Sequence, residues 1–238
     1  MNTSERSACF TSPCSDILKK IIPLEVHTFS FNFVQVNTYL VVDKATREAA
    51  IIDCGCMVPA EENILSSKVE ELNATPTLLI ATHLHFDHVW GVPFAAQKWG
   101  LTPRAHRVEI ETMPPFEEQM RAFGMPPMPE RHDLPYQPFE TGDRLKLGET
   151  HLEVLFVPGH TPGHVAFYEP QQHLLFAGDV LFAGGDIGRT DLPGGSYTTL
   201  INSIKTQLMP LDDDTIVYSG HGPQSTIGFE RRANSYIQ

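Results

Sequence analysis

The 238-residue sequence has no apolar run of about 18 residues, the length that a membrane-spanning helix requires. It is also poor in basic residues: 17 lysines and arginines stand against 29 aspartates and glutamates, which gives a formal net charge of -12. Binding to the phosphate backbone of a nucleic acid requires clustered lysine and arginine. The sequence therefore argues against both a membrane and a nucleic acid as a partner.

Cysteine is scarce as well, with only Cys9, Cys14, Cys54 and Cys56. The first 20 residues are rich in serine and threonine and lack the apolar segment of a secretory signal peptide. Four cysteines without such a signal are expected to be reduced thiols in a cytoplasmic protein. We predict a flexible extension over residues 1–20 and one large domain over residues 21–238.

Histidine, by contrast, is concentrated in residues 82–91, which directly follow a short apolar run. Buried imidazoles and carboxylates need polar partners, and a metal ion satisfies several of them at once. His83 and His85 are two residues apart on an extended segment, so their side chains point to the same side and can bind one ion. Asp87 and His88 follow a bend and suit a second ion beside the first.

The same pattern recurs along the chain, where apolar runs end in a residue that can bind a metal or a proton. These residues are Asp53, His83, His160, Asp179 and His221. A glycine directly precedes each of the last three, which permits tight turns and close approach of the backbone. Active sites gather where rigid strands end and aim loop residues at a common point.

The remaining pattern predicts strands and helices in both halves of the chain. Runs rich in β-forming residues predict strands at 24–33, 37–42, 49–53, 77–81, 102–105, 144–147, 151–157, 164–168, 173–177 and 215–219. Helices are predicted at 59–72, 90–99, 116–123, 196–208 and 225–237. This order favours an α/β fold, a four-layer αβ/βα sandwich of two facing mixed sheets with helices outside.

Residues 106–142 are rich in proline and methionine and show no sustained periodicity apart from the helix at 116–123. A long irregular insertion in a compact domain is usually a functional lid or a disordered segment. Because methionine-rich surfaces adapt to varied apolar ligands, we predict a lid that faces the substrate, with a packing element as the alternative.

The spacing His83-x-His85-x-Asp87-His88, followed by His160, Asp179 and His221, resembles the metallo-β-lactamase superfamily from about residue 24 to the end. The resemblance implies the metallo-β-lactamase fold and a site for two divalent metal ions. It also implies the distribution of ligands: His83, His85 and His160 on one ion, Asp87, His88 and His221 on the other, and Asp179 bridging them.

An aspartate rather than a cysteine at position 179 departs from true lactamases. Together with the stretch Gly-Arg-Thr-Asp-Leu-Pro-Gly-Gly-Ser at 188–196, it resembles short glyoxalase II-like proteins and the related persulfide dioxygenases. Full glyoxalase II carries an additional C-terminal helical domain that contributes to glutathione binding. We expect this chain to lack that domain, which leaves the thiol carrier of the substrate open.

Imidazole and carboxylate ligands suit zinc, iron or manganese, and zinc is the ion we expect first. Two ions roughly 3.5 to 4 Å apart lower the pKa of a shared water and polarise an acyl oxygen. Since a thiol has a pKa of about 8.5, a thiolate leaves with little help from an acid. We predict a dinuclear hydrolase that attacks small acyl-thioesters, such as S-lactoylglutathione, with hydroxide.

Three residues receive further roles in this hypothesis. Asp87 is a metal ligand that could also accept and relay a proton as a catalytic group, and Asp53 orients a ligand from behind it. Arg189 either binds an anionic tail of the substrate or pairs with Asp191 or Asp186.

Three other functions remain open at this point. They are a mononuclear iron persulfide dioxygenase, a lactonase or β-lactamase, and a metal-binding module without catalysis. The sequence does not decide the acyl group or the oligomeric state.

Overall fold

The computed structural model describes residues 24–126 and 134–238, in which two β-sheets pack face to face. The extension predicted over residues 1–20 lies outside the described residues, as do Cys9 and Cys14. Cys54 and Cys56 are free thiols whose Sγ atoms lie 3.6 Å apart. The predicted α/β architecture with two mixed sheets is confirmed.

The first sheet has six strands in sequential order. They are β1 (Leu24–Phe31), β2 (Val36–Asp43), β3 (Glu48–Ile52), β4 (Thr75–Ile80), β5 (Arg104–His106) and β6 (Gln137–Phe139). The strands β1 to β3 form an antiparallel meander, and β3 to β6 are parallel. The parallel strands end at one edge of the sheet, where the segment 82–91 follows β4.

The second half of the chain forms the other sheet and a small two-stranded sheet. Its strands are β7 (Arg144–Leu147), β8 (Thr150–Phe156), β9 (Val165–Glu169), β10 (Leu174–Gly178), β11 (Leu181–Phe182), β12 (Asp186–Ile187), β13 (Ile216–Ser219) and β14 (Ser225–Thr226). The large sheet has the order β14-β13-β10-β9-β8-β7, and β11 pairs with β12. The parallel strands β10 and β13 both end close to the segment 82–91 at the edge of the first sheet.

The helices are α1 (Pro59–Glu71), α2 (Phe86–Val89), α3 (Val92–Trp99), α4 (Arg107–Thr112), α5 (Phe116–Ala122), α6 (Tyr197–Ser203) and α7 (Ile227–Ala233). A π-helical turn, Ile204–Leu208, continues α6. The helix expected at 90–99 is observed as α3, which begins two residues later because Gly91 is its N-terminal cap and Pro93 lies in its first turn. The single turn of α2 precedes it and was not predicted. In the described ranges, no helix is long and apolar enough to cross a membrane.

Alternation along the central strands produces the layers. On β2, Leu40 and Val42 face a core beneath the helices, whereas Tyr39 and Val41 face the core between the sheets. Successive side chains of a strand point to opposite faces, so a strand that is apolar throughout is covered on both sides. A third core packs the second sheet against α6 and α7, which completes four layers.

The expectation of an irregular insertion at 106–142 was wrong in two respects. The segment begins with a helix, α4, and β6 within it pairs in parallel with β5 at the edge of the first sheet. Both elements are too short to produce a periodic pattern in the sequence. On α5, Phe116 and Met120 are buried in the first core, and residues 127–133 of the predicted lid lie outside the described residues. The helix expected at 225–237 is also shorter, because Ser225 and Thr226 pair as β14 before α7 begins.

Candidate metal centre

The structure brings all seven predicted metal ligands to one place between the two sheets. Each follows a strand end or lies in the short helix next to one: His83 and His85 follow β4, Asp87 and His88 lie in α2, and the others follow β8, β10 and β13. Among the sets of three residues whose potential ligand atoms lie within 4.8 Å of one another, two divide six of these seven residues between them. We name them the first group (His83, His85, His160) and the second group (Asp87, His88, His221).

In the first group, three ring nitrogens face one another. The Nδ1 atom of His85 lies 3.0 Å from Nε2 of His83 and 2.9 Å from Nε2 of His160. His160 donates its Nδ1–H to the backbone carbonyl of Arg189 at 2.7 Å, because a carbonyl can only accept. Its Nε2 therefore carries a lone pair that points at the other two rings. A metal ion bound by all three nitrogens resolves this convergence of acceptors.

The second group places a carboxylate between two imidazoles. The Oδ2 atom of Asp87 lies 3.4 Å from Nε2 of His221 and 3.6 Å from Nε2 of His88. His88 is completely buried, and its Nε2 has no hydrogen-bond partner among the described residues. Since an unpaired polar atom in the interior is unfavourable, this atom fits a metal ligand.

Asp179 lies between the two groups. Its Oδ1 is 3.4 Å from Nε2 of His88, while its Oδ2 is 3.6 Å from Nε2 of His221 and 3.7 Å from Nε2 of His160. Within the described residues, Oδ1 also lacks a hydrogen-bond partner. A side chain at Gly220 would collide with Oδ1 of Asp179, so the glycine before His221 permits the close approach of the loops.

Charge and burial set the protonation of these groups. Burial, followed by the neighbouring His160, lowers the pKa of His85 to about 3. Burial alone would raise the pKa of Asp179, but His88 and the other imidazoles hold it far below its usual range. Burial alone would lower the pKa of His88, but Asp179, Asp87 and Asp53 raise it well above its usual range. Neutral imidazoles in the first group and ionised carboxylates are the forms that bind metals.

The chemistry of the donor atoms and the two unpaired buried atoms fit a pair of divalent ions. The two groups share Asp179, and the buried histidine and aspartate clusters are consistent with a dinuclear site. A further buried set, His83 with His88 and Asp179, takes one histidine from each group together with Asp179. In the described ranges, the remaining set, His173 with Asp212 and Asp214, is more exposed and lies at the opposite end of β10 and β13.

The residues expected behind the ligands also lie at the site. Asp53, which was expected there, accepts from Nδ1 of His88 at 3.1 Å. Asn37, to which the sequence interpretation gave no role, donates to the carbonyls of Ser219 and Gly222 and so holds the loop of His221. The guanidinium of Arg189 makes two hydrogen bonds of 2.8 Å to Asp191, which is one of the alternatives that the sequence left open.

The sequence interpretation missed two further residues that contact the loops of the candidate ligands. Thr82 connects Asp53 to Nδ1 of His83, and the buried Glu109 accepts hydrogen bonds from the loops of His85 and His160. A threonine at a strand end next to the first ligand was an available signal for Thr82. Glu109 had no such signal, because α4 lies in a segment without periodicity.

A recess of about 130 Å³ lies beside His85. Its lining includes the apolar residues Met113, Pro114, Ala122, Phe123, Leu192 and Pro193. The amide of Gln119 at its wall is occupied by the backbones of Phe86, Leu84 and Pro114. A larger recess of about 690 Å³ along α3 contains none of the seven ligands, so the small one is the recess that matters for chemistry.

This fold and this site define the class of the protein. The chain belongs to the metallo-β-lactamase superfamily, whose model matches residues 31–221. It is similar to the hydroxyacylglutathione hydrolase GloC of Haemophilus influenzae, with 42% identity over 209 residues that cover 85% of this chain and 93% of that protein. With its buried histidine and aspartate clusters, it is a metallohydrolase of this fold.

Two solved structures are also similar. The BLEG-1 B3 metallo-β-lactamase has a TM-score of 0.80 and 31% identity, and the match covers 90% of this chain and all (100%) of that one. TTHA1623 in a di-iron-bound form has a TM-score of 0.77 and 35% identity, covering 89% of this chain and 100% of that one. The fold prediction from the ligand motif is therefore confirmed.

Proposed function

We propose that this chain is a dinuclear metal-dependent hydrolase of small acyl-thioesters, of the hydroxyacylglutathione hydrolase type. The observation that carries the proposal is the position of Asp179: its Oδ1 lies near His88 of the second group, and its Oδ2 lies between His221 of the second group and His160 of the first. The similarity to GloC supports the thioester as substrate. Zinc is the ion we propose, with iron as the alternative that the di-iron form of TTHA1623 supports.

The first and second groups would each hold one ion, and Asp179 would contact both. When bound, such a pair of ions activates a shared water as nucleophile and polarises the acyl carbonyl. Burial alone would raise the pKa of Asp87, but His88 and His221 hold it below its usual range, so its carboxylate is ionised at neutral pH. Asp87 is therefore the group that we assign to accept a proton from the attacking water.

The leaving group determines which bond this site cleaves. A thiolate departs without a proton donor, because a thiol is a much stronger acid than an alcohol or an amine. The apolar recess beside His85 takes the acyl chain, since its one charged wall residue, Glu118, is an acid that disfavours an anionic acyl group. At about 130 Å³ it is smaller than the roughly 300 to 1,000 Å³ of whole-ligand pockets, so it suits a short chain.

The test combines metal quantification with a thioester panel. Purified protein without added metal is expected to contain two ions per chain and to release thiol from acyl-thioesters. Folded His85→Ala and Asp179→Ala variants are expected to lose hydrolysis, and full activity in either would contradict the proposal. His173→Ala is the matched control, because it removes the exposed cluster with Asp212 and Asp214 from the metal count and leaves the site intact.

The same preparation separates the alternatives. One iron per chain with oxygen consumption on a persulfide would indicate a dioxygenase instead. The similarity to BLEG-1 supports a β-lactamase as the second candidate, and turnover of nitrocefin without thioester cleavage would favour it. Tight binding of metal with neither activity would indicate a binding module.

A further inference from the structure

Glu109 is a completely buried acid on α4 that contacts the loops of the metal centre. Its Oε1 accepts the backbone N–H of Leu84 at 2.9 Å. Its Oε2 accepts the hydroxyl of Thr161 at 2.8 Å and the backbone N–H of Gly163 at 2.9 Å. All three partners are donors, and together they occupy both oxygens of the carboxylate.

The three donors belong to the two loops that supply the first group. Leu84 lies between His83 and His85, while Thr161 and Gly163 directly follow His160. The two loops are far apart in the chain, since 75 residues separate His85 from His160. A single carboxylate thus connects the backbones on both sides of the nitrogens that face one another at 2.9 Å.

The three donors favour a carboxylate over an amide at this position, because both of its oxygens accept. Burial raises the pKa of Glu109 to about 7, against the opposing effect of Leu84, Thr161 and Gly163. A glutamine has one acceptor oxygen, so its NH₂ group would face a donor on one side. A side chain at Gly163 would collide with the backbone of Glu109, so this loop lies directly against the helix. An acid buried at this depth is unfavourable unless its hydrogen bonds are all satisfied.

We propose that Glu109 is a positioning residue that fixes the separation of His85 and His160 and thereby sets the metal affinity of the first group. The inference rests on the two-ion site of the proposed function. It predicts that substitution of Glu109 lowers the metal affinity of the first group alone. A residue that only stabilised the packing of the fold would affect the metal affinity of both groups.

The chain contains a matched control. Glu169, at the far end of β9 from the site, is likewise completely buried and accepts the hydroxyl of Thr150 at 2.6 Å and the backbone N–H of Gln172 at 2.8 Å. Glu169→Gln therefore introduces the same change of chemistry at the same burial without contact to the ligand loops. Thr150→Val is the corresponding control for Thr161→Val, because each substitution removes a hydroxyl that donates to a buried glutamate.

The experiment measures binding of Co²⁺ to metal-free protein by chelator competition and by the absorption of the bound cobalt. A His221→Ala background removes a ligand from the second group, and a His85→Ala background does the same for the first. In the His221→Ala background, we expect Glu109→Gln to weaken binding by about tenfold to a hundredfold and to shift the cobalt spectrum. In the His85→Ala background, Glu109→Gln is expected to change the Co²⁺ affinity by less than about twofold. Glu169→Gln is expected to change it by no more than that in either background.

Thr161→Val keeps the inference testable if Glu109→Gln does not fold, because it removes only one of the three hydrogen bonds. Thr161→Val is expected to weaken metal binding by the first group several-fold, whereas Thr150→Val is expected to leave it unchanged. Unchanged affinity in the folded Glu109 and Thr161 variants, or an equal loss in both groups, would overturn the inference. The readout needs no substrate, so a protein that binds two ions but cleaves no thioester would refute the proposed function alone.

Discussion

The Oδ2 atom of Asp53 lies 3.1 Å from Nδ1 of His88, and both side chains are buried. The carboxylate thereby holds the proton on Nδ1 and leaves Nε2 free to face the second group. The same carboxylate accepts the N–H of Thr82 at 2.7 Å and its hydroxyl at 2.8 Å, and that hydroxyl lies 3.1 Å from Nδ1 of His83. One aspartate therefore orients an imidazole in each group.

Asp53→Asn is expected to weaken the binding of both ions, because the NH₂ group of the asparagine would face the protonated nitrogen of His88 or the hydroxyl of Thr82. Loss of such a supporting partner typically reduces metal affinity by about tenfold to a hundredfold. Thr82→Val is the matched variant, since it removes the hydroxyl that connects Asp53 to His83 and keeps the carboxylate that contacts His88. It should therefore weaken metal binding by the first group more than by the second. Chelator competition on metal-free protein measures the metal affinity of both variants. Unchanged affinity for both ions in Asp53→Asn would refute this role of Asp53.

The convergence of the seven candidate ligands could be predicted because these residues are marked by local features of the sequence. His83, His85, Asp87 and His88 are close in sequence, and Asp179 and His221 each end an apolar run. Strand ends of a parallel sheet meet at one edge, so the pattern also predicted that distant residues converge. The sandwich followed from the same alternation of strands and helices.

The supporting residues could not be predicted in the same way. Glu109 reaches Thr161 and Gly163 more than 50 residues away in the chain, and only the packing of α4 against both loops makes it a neighbour. The choice between a substrate contact and Asp191 for Arg189 depends on a side-chain conformation, which composition does not determine. Short elements such as α4 and β6 have too few residues to show a period.

We expect Arg189→Ala to change KM by less than about twofold, because its guanidinium is held by Asp191 and exposed pairs of this kind contribute little. Its backbone carbonyl, which accepts from His160, is retained in the variant. Asp191→Asn is the informative counterpart, since it releases the guanidinium and should lower KM for a succinyl thioester relative to an acetyl one. A large rise of KM in Arg189→Ala would show instead that the arginine binds the substrate.

The recess beside His85 is expected to select the acyl chain. Ala122→Trp fills it from α5, so KM for a butyryl thioester should rise by about tenfold while that for the acetyl analogue changes little. Glu117→Trp on the exposed face of the same helix adds an equal ring outside the recess and is the control. Initial rates on N-acetylcysteamine thioesters of increasing chain length measure the effect. An equal change for every chain length would place the acyl group elsewhere.

Asp43 is expected to make stability depend on pH far from the metal centre. Its carboxylate accepts the backbone N–H groups of Ala45 at 2.7 Å, Thr46 at 3.0 Å and Glu149 at 2.8 Å. Burial alone would raise the pKa of Asp43, but these hydrogen bonds lower it below its usual value. A carboxyl with a lower pKa in the folded state stabilises the protein above its unfolded pKa of about 3.9, and the stabilisation disappears as pH falls through the folded value.

Asp43→Asn should therefore lower the free energy of unfolding by about 1 to 3 kcal/mol at neutral pH, because an amide cannot satisfy all three donors. The difference from the parent protein should shrink as pH falls below about 4, where the carboxyl of the unfolded parent begins to bind a proton and that of the folded parent does not yet. Urea unfolding of metal-free parent and variant across this range measures it without a contribution from metal binding, and the titration of the shared metal-site residues cancels in the difference. Glu149→Gln changes an exposed side chain and keeps the N–H that Asp43 accepts, so it should have no such effect. A difference that stays constant down to about pH 3 would mean that Asp43 stabilises the fold through shape rather than charge.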